Sequence, residues 1–514
     1  MLQHKSGSAI LRKVSHGPEV RGTYARLRRG FKPLLAIIEG EYRQEAQVQR
    51  VLGSLKTITA AAVMTGLAMS SAVSSAYAQA KEKQWKDGEY DTYSEAQKDQ
   101  AANNFTKMIT DLDAWKTKFP QSDHADTRDS MYVAAYAGAK QASKLVAFTG
   151  ELMSKDLDAR YPDPKAGPAD VIRILFNTVA VLPQLPNPTQ QELATIEKAA
   201  RLLLSYNRKP EGLPDADWNN MKGQLQQAAK GSLMSVTVIP GNQALAKNPR
   251  DCATAETVFT KAVSEYPENA FIAYQLGVAL NCQARSNQAK MEEYGPRAIY
   301  SFVRAVVLDP TLGGTQDGKK VTDYVVNAYN NYHGDSEGLD ALKTQAKASP
   351  LPPAGFTIET ATKVAERKQK EFTEKYPQLA IWLGIKGQLA SPEGEGYFTS
   401  SMKDAKIPKL KGTLVDAKPA CRSKELLISV PEPNQQGTAP TVITLKLDTA
   451  LTGKPDTGVE IEWEGVPSAF TKDPFMLTMD IQDNKTDLTG VKTSPCAAAP
   501  AKGPAKKGPA AKKK

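Results

Sequence analysis

Four residues, Ala255, Phe259, Ala262 and Pro267, recur 43 positions later at the same internal spacing as Ala298, Phe302, Ala305 and Pro310. Steps of four and three residues put the Ala, Phe and Ala of each set on one face of an α-helix, and the Pro ends that helix and turns the chain. Small side chains on the face let a second helix come close, and the Phe fills the gap left between them. A chain that repeats this unit builds stacked helical pairs rather than one bundle.

The same periodicity extends well beyond the two copies. Phe105, Met108, Ile109, Leu112 and Trp115 follow it, and segments near 170–182, 190–206 and 218–235 do likewise. Pro-rich breaks such as Tyr161-Pro162-Asp163-Pro164 and Leu185-Pro186-Asn187-Pro188 separate them. Residues 81–390 are therefore predicted to be a helical repeat region, clearest over 252–310.

With Leu276-Gly277 lying between the two copies, this pattern resembles the tetratricopeptide repeat (TPR). There, Leu-Gly marks the first helix of a pair, and the small-residue and Phe pattern on the second helix ends in Pro. The usual period of about 34 implies an insertion of roughly nine residues, placed near Ser286–Glu293. Weaker copies end at Lys118-Phe119-Pro120 and Lys375-Tyr376-Pro377, with Trp115 and Phe372 where a small Ala is usual.

The resemblance implies a groove lined by the first helix of each pair, in which Asn side chains grip a peptide backbone. On that basis Tyr274, Asn281, Asn327, Tyr329 and Asn330 are the candidate partner-binding residues. Tyr and Asn supply contact area and adaptable hydrogen bonds at modest entropic cost. The competing reading of the dense stretch Tyr324–Tyr332 makes its rings helix-packing core and its amides solvated.

The hairpin geometry that the resemblance implies also bears on the cysteines. Cys252 lies 15 residues before Pro267 and Cys282 lies 13 after Asn269. At a rise of ~1.5 Å per residue both sit roughly 20–22 Å from the shared turn of an antiparallel pair. A Cys252–Cys282 disulfide is then natural, which leaves Cys421 with Cys496. The chain-entropy account credits the two loops with about 3.6 and 4.5 kcal/mol.

Residues 57–78, TITAAAVMTGLAMSSAVSSAYA, form an apolar run rich in small residues behind Lys56. A basic flank, a short apolar run and a small-residue exit make a signal peptide, with cleavage expected after Ala78 or Ala80. The alternative is a membrane anchor left uncleaved. Export makes an oxidising compartment the expected setting for four cysteines, the periplasm ahead of secretion.

The net charge of +10 suggests nucleic acid until it is located. Residues 1–80 carry 11 basic and 4 acidic side chains, and 497–514 carry six Lys and no acid. The body between them holds 49 basic against 52 acidic residues, so the folded part has no basic excess and no specific nucleic-acid partner is expected. The tail AAAPAKGPAKKGPAAKKK cannot bury a core, is expected to be disordered, and offers at most salt-sensitive contact with anionic envelope polymers.

From about 405 the period changes to two. Residues 412–417, 424–430, 441–447, 459–463 and 475–481 read as five short strands between turns, which fits an OB-like barrel or a sandwich over 405–496. Residues 391–404 read as a linker. The fold class is thus α+β and multidomain: a TPR-like helical solenoid, then a small all-β domain.

Three strings look catalytic and lack the context their chemistry needs. Gly334-Asp335-Ser336-Glu337-Gly338 matches G-x-S-x-G, yet it follows a helical pattern and His333 is the last His of the chain. Gly313-x4-Gly318-Lys319 has Lys320 where a phosphate loop needs Ser or Thr for Mg²⁺. Glu393 and Glu395 sit in a Gly-rich connector and read as solvated charge, the best remaining place for an enzyme's site. His124 and His333 read as surface or cap residues without Cys or carboxylate neighbours at ligand spacing. No metal and no cofactor is expected, and the chain reads as a non-enzymatic interaction scaffold of the bacterial envelope. The alternative is an envelope-polymer binder using the β-domain and the Lys tail. The signal reading predicts that N-terminal sequencing of exported protein finds Gln79 or Lys81 first, whereas a start ahead of residue 57 would mean an uncleaved anchor.

Overall fold

The computed structural model describes residues 83–285, 288–312, 318–433, 435 and 437–496. The leader and signal segment 1–80 and the tail 497–514 lie outside the described residues. The chain divides into two compact units at Ala361 and Thr362.

In the first unit the helices are α1 (Glu89–Ala101), α2 (Phe105–Lys118), α3 (Ala125–Gly138), α4 (Ala142–Leu152), α5 (Leu157–Arg160), α6 (Gly167–Ala180), α7 (Gln190–Ser205) and α8 (Asp215–Ala246). They continue as α9 (Cys252–Glu265), α10 (Ala270–Ala284), α11 (Gln288–Leu308), α12 (Gly318–His333) and α13 (Leu339–Ala348). Their starts are written in local chemistry. Thr189 and Glu192 form a reciprocal capping box at α7. Asp251 accepts the Thr254 N–H at 3.2 Å to start α9, and Asn269 accepts the Ile272 N–H at 3.0 Å to start α10. The Lys247 ammonium, with that N–H, holds the Asp251 carboxyl below its usual range.

The apolar faces bury into three successive cores along this unit. Met108, Leu112, Trp115 and Tyr132 close the first between α2 and α3. Leu145, Ile172, Leu175, Ile196 and Leu225 make the second across α4 to α8. The third gathers Phe259, Leu276, Tyr300, Phe302 and Val325 from α9 to α12. A core divided among near neighbours is what stacked helical pairs produce.

Close helix approach in the third core depends on two glycines. A Cβ on Gly277 of α10 would lie 2.6 Å from a Phe302 ring carbon of α11, and one on Gly241 of α8 would lie 2.8 Å from Phe259 of α9. Both aromatic residues belong to the repeated pattern. Gly241 is its missed counterpart to Gly277, hidden inside a 32-residue helix that also carries Pro240. Arg304, 1% exposed, fastens the same hairpins, donating to the carbonyls of Pro267 at 2.7 Å, Ala346 at 2.6 Å and Ser349 at 3.0 Å. The extra residues near 286–293 lengthen α11 to 21 residues against 14 for α9, so much of the insertion is helix.

Cys252 and Cys282 are bonded with Cα atoms 5.7 Å apart, joining the start of α9 to the last turns of α10. Cys421 and Cys496 are bonded with Cα atoms 5.9 Å apart, and both separations fall in the usual disulfide range.

The second unit starts earlier than the expected boundary near 390. Helices α14 (Ala361–Lys375) and α15 (Pro377–Ala390) belong to it. The reason is packing, because Trp382, Ile385 and Leu389 of α15 share one core with the β-strands. Residues 391–404 are likewise no open linker. They form the short helix α16 (Gly394–Tyr397) and a π-turn, Phe398–Met402, whose Phe398 and Met402 are buried in that core.

The strands are β1 (Ile407–Lys418), β2 (Glu425–Ser429), β3 (Thr441–Leu447), β4 (Lys454–Pro455), β5 (Glu460–Lys472), β6 (Phe475–Ile481), β7 (Leu488–Thr489) and β8 (Thr493–Ser494). All five expected strands are present, with β1 and β5 longer than their apolar alternation indicated. Their order β1-β2-β3-β6-β5 closes on itself because β1 also pairs with β5. β3 and β6 run parallel, Ile443 opposite Leu477, and the other barrel pairs are antiparallel. This is the OB-type Greek-key closure, which leaves no open edge among the five. Leu414, Ile428, Ile443, Ile461, Trp463 and Leu477 fill it without exposure. β4 pairs with β8, and the Cys421–Cys496 bond ties the β1–β2 connection to the end of β8.

Denaturant unfolding checks the close approach. Gly277→Ala should cost about 1–3 kcal/mol through overpacking. Gly223→Ala, on an exposed turn of α8 with nothing within 4 Å, should be neutral or stabilise by about 0.4–1 kcal/mol.

Candidate functional site

Phe302 of α11 lies between Tyr274 of α10, 5.5 Å away by ring centroids, and Tyr324 of α12, 5.7 Å away. Helices α10 and α12 thus flank one residue of α11, as first helices of successive hairpins do. The candidate contacts on these two helices separate by chemistry.

Tyr329 is 3% exposed, and its hydroxyl donates to the Glu337 carbonyl. Burial raises its phenol pKa, and burial pushes Tyr324 and Tyr332 up to about 12. Tyr274 is half-buried and packs on the third core. Asn327, by contrast, is exposed, and Asn281 is half-buried. Asn330 is half-buried, with its Oδ1 shielded and without a hydrogen-bond partner among the described residues. Tyr329 is therefore a core residue and not a partner contact. Successive residues turn by about 100° on a helix, so two positions suffice to move from the solvent at Asn327 to the core at Tyr329. The amides remain as the available recognition groups.

The catalytic-looking strings resolve differently. Gly334–Gly338 is a loop between two helices and not a strand-to-helix elbow. Residues 313–317 of the phosphate-loop string lie outside the described residues, and Gly318 and Lys319 begin α12. Glu393 and Glu395 are exposed.

The two histidines depart from expectation, because both are buried. His124 stacks on Trp85 with centroids 3.5 Å apart, and burial lowers its pKa. His333, 6% exposed, lies beside the carboxylates of Asp335 and Glu337, the cluster that sequence spacing had discounted. An H-x-D-x-E spacing was the available signal. Here the three side chains meet on a turn in which Gly334 and Gly338 take φ of 104° and 83°.

On the barrel, Lys406 just ahead of β1 and two lysines within β1 already face acids. Lys406 meets Asp487 at 2.6 Å and Glu464 at 3.2 Å, Lys411 meets Glu460 at 2.6 Å, and Lys409 meets Glu462 at 3.8 Å. These three lysines are matched by acids of β5 and of the loop before β7. Among the described residues no helix is long and apolar enough to cross a membrane.

No family model matches the chain, and no curated protein matches it. Among solved structures, the TPR2AB-domain:pHSP90 complex of yeast Sti1 is similar at 16% identity, covering 57% of this chain and 98% of that one, with a TM-score of 0.21. At that score the likeness adds no weight, and the fold rests on the helix pairing and strand order described above. That architecture defines an α+β protein of stacked, TPR-like helical hairpins followed by a closed five-stranded barrel.

Thermal or denaturant unfolding separates core from surface along α12. Tyr329→Ala should cost about 3–5 kcal/mol as a buried aromatic truncation. Asn327→Ala should stay within about 0.5 kcal/mol of the parent.

Proposed function

We propose that this chain is a non-catalytic scaffold that docks a protein or peptide segment along α10 and α12, in the periplasm of a bacterial envelope. The observation that carries the reading is the division just described. Asn327 is exposed and Asn281 is half-buried, while neighbouring Tyr rings pack on the core. Side-chain amides can donate to and accept from an extended backbone at once, which recognises a peptide by its main chain rather than by charge.

The compartment is supported by the signal-like run at 57–78 and by cysteine usage. All four cysteines are in disulfides, which persist in oxidising compartments and are rare in the cytosol. The alternative reading is an envelope-polymer binder that uses the β-domain and the Lys-rich tail.

Capture from envelope fractions with the exported protein as bait tests the docking surface. Asn281→Ala with Asn327→Ala should reduce recovery of a retained partner about tenfold while leaving the unfolding midpoint unchanged. Equal recovery by parent and double variant would remove the surface from consideration. Deleting 497–514 should leave that recovery intact, because the proposed contact lies on the helices.

A further inference from the structure

The turn between α12 and α13 gathers three metal-ligating side chains. We propose that His333, Asp335 and Glu337 form a divalent-cation site, Zn²⁺ being the best fit, that staples this turn. One ligand atom from each lies within 4.8 Å of the others, so a short adjustment of the exposed Glu337 side chain and the imidazole about Asp335 brings the three to one ion.

The imidazole makes this more than a pair of acids. The His333 side chain is 8% exposed. Its Nδ1 lies 2.9 Å from the Glu359 carbonyl oxygen, which only accepts, so in the neutral ring Nδ1 holds the proton. Nε2 is left with its lone pair in a shielded position and no hydrogen-bond partner among the described residues. It faces Asp335 Oδ1 at 3.7 Å, beyond hydrogen-bond reach. A cation placed between that lone pair and the carboxylate would satisfy both. An outer N–H bonded to a backbone carbonyl is also how metal-binding imidazoles are commonly oriented.

The loop is built to hold this arrangement. The Glu337 N–H donates to Asp335 Oδ1 at 2.8 Å and fixes that carboxylate. Tyr329 holds the Glu337 carbonyl from below. A Cβ on Gly338 would lie 2.9 Å from the Tyr329 hydroxyl, so the glycine keeps the turn closed. One nitrogen and two carboxylate oxygens suit Zn²⁺ or Mn²⁺ rather than a thiophilic ion, and no cysteine is free to compete. Three protein ligands leave a fourth position for water.

The test uses the full chain without a polyhistidine tag, stripped with EDTA, dialysed and titrated calorimetrically with ZnCl₂ and then with MnCl₂. One saturable equivalent of Zn²⁺ should bind and raise the unfolding midpoint. His333→Gln should weaken binding at least about tenfold, as should Glu337→Gln, which alters an exposed side chain and leaves the fold intact. If His333→Gln fails to fold, Glu337→Gln and Asp335→Asn carry the comparison. The absence of a saturable phase would overturn the proposal. So would equal affinity in the parent and Glu337→Gln, since that pattern belongs to scattered surface carboxylates.

Discussion

The helical stack depends on two helices being allowed to touch where a side chain would hold them apart. At Gly277 against Phe302, and again at Gly241 against Phe259, an aromatic ring lies on bare backbone. That contact sets the spacing between α10 and α11 and between α8 and α9. On α11, Arg304 reaches three carbonyls from its buried position, and the Cys252–Cys282 bond separately ties α9 to α10. Dispersion contacts are individually small, so the arrangement needs the whole ring to be seated.

Much of this architecture was legible in the residues. The Ala, Phe, Ala and Pro spacing led to the hairpins, and their geometry led to Cys252 with Cys282. Period-two alternation located all five barrel strands, since a barrel wall has one buried face and one wet face. The boundary between units was not legible, because α15 has the same kind of apolar pattern as the repeat helices. Only the destination of Trp382, Ile385 and Leu389 distinguishes it, and a destination is a tertiary fact. Gly241 lies beyond the segment near 218–235 that the periodicity marked, although α8 continues through it and Pro240.

The candidate site was legible in composition and not in orientation. Tyr and Asn were correctly seen to crowd α12, but composition does not say which side chain faces inward. The structure spends the rings on packing and leaves Asn327 exposed, while Asn330 is half-buried with its Oδ1 shielded. His333 went astray in the opposite sense, since a histidine two residues from an aspartate looked unremarkable until Gly334 turned the backbone. In both cases a rotation or reversal of the backbone decides what a side chain can do.

The account as a whole joins a hairpin geometry to an oxidising compartment, and cystine mapping addresses both at once. Protein isolated from its native compartment with free thiols blocked, digested without reduction and read by mass spectrometry should yield two linked peptide pairs. Cys252 should be joined to Cys282, and Cys421 to Cys496. Four blocked thiols would place the chain in a reducing environment, and a bond between either helical cysteine and the barrel would contradict the stacked hairpin itself.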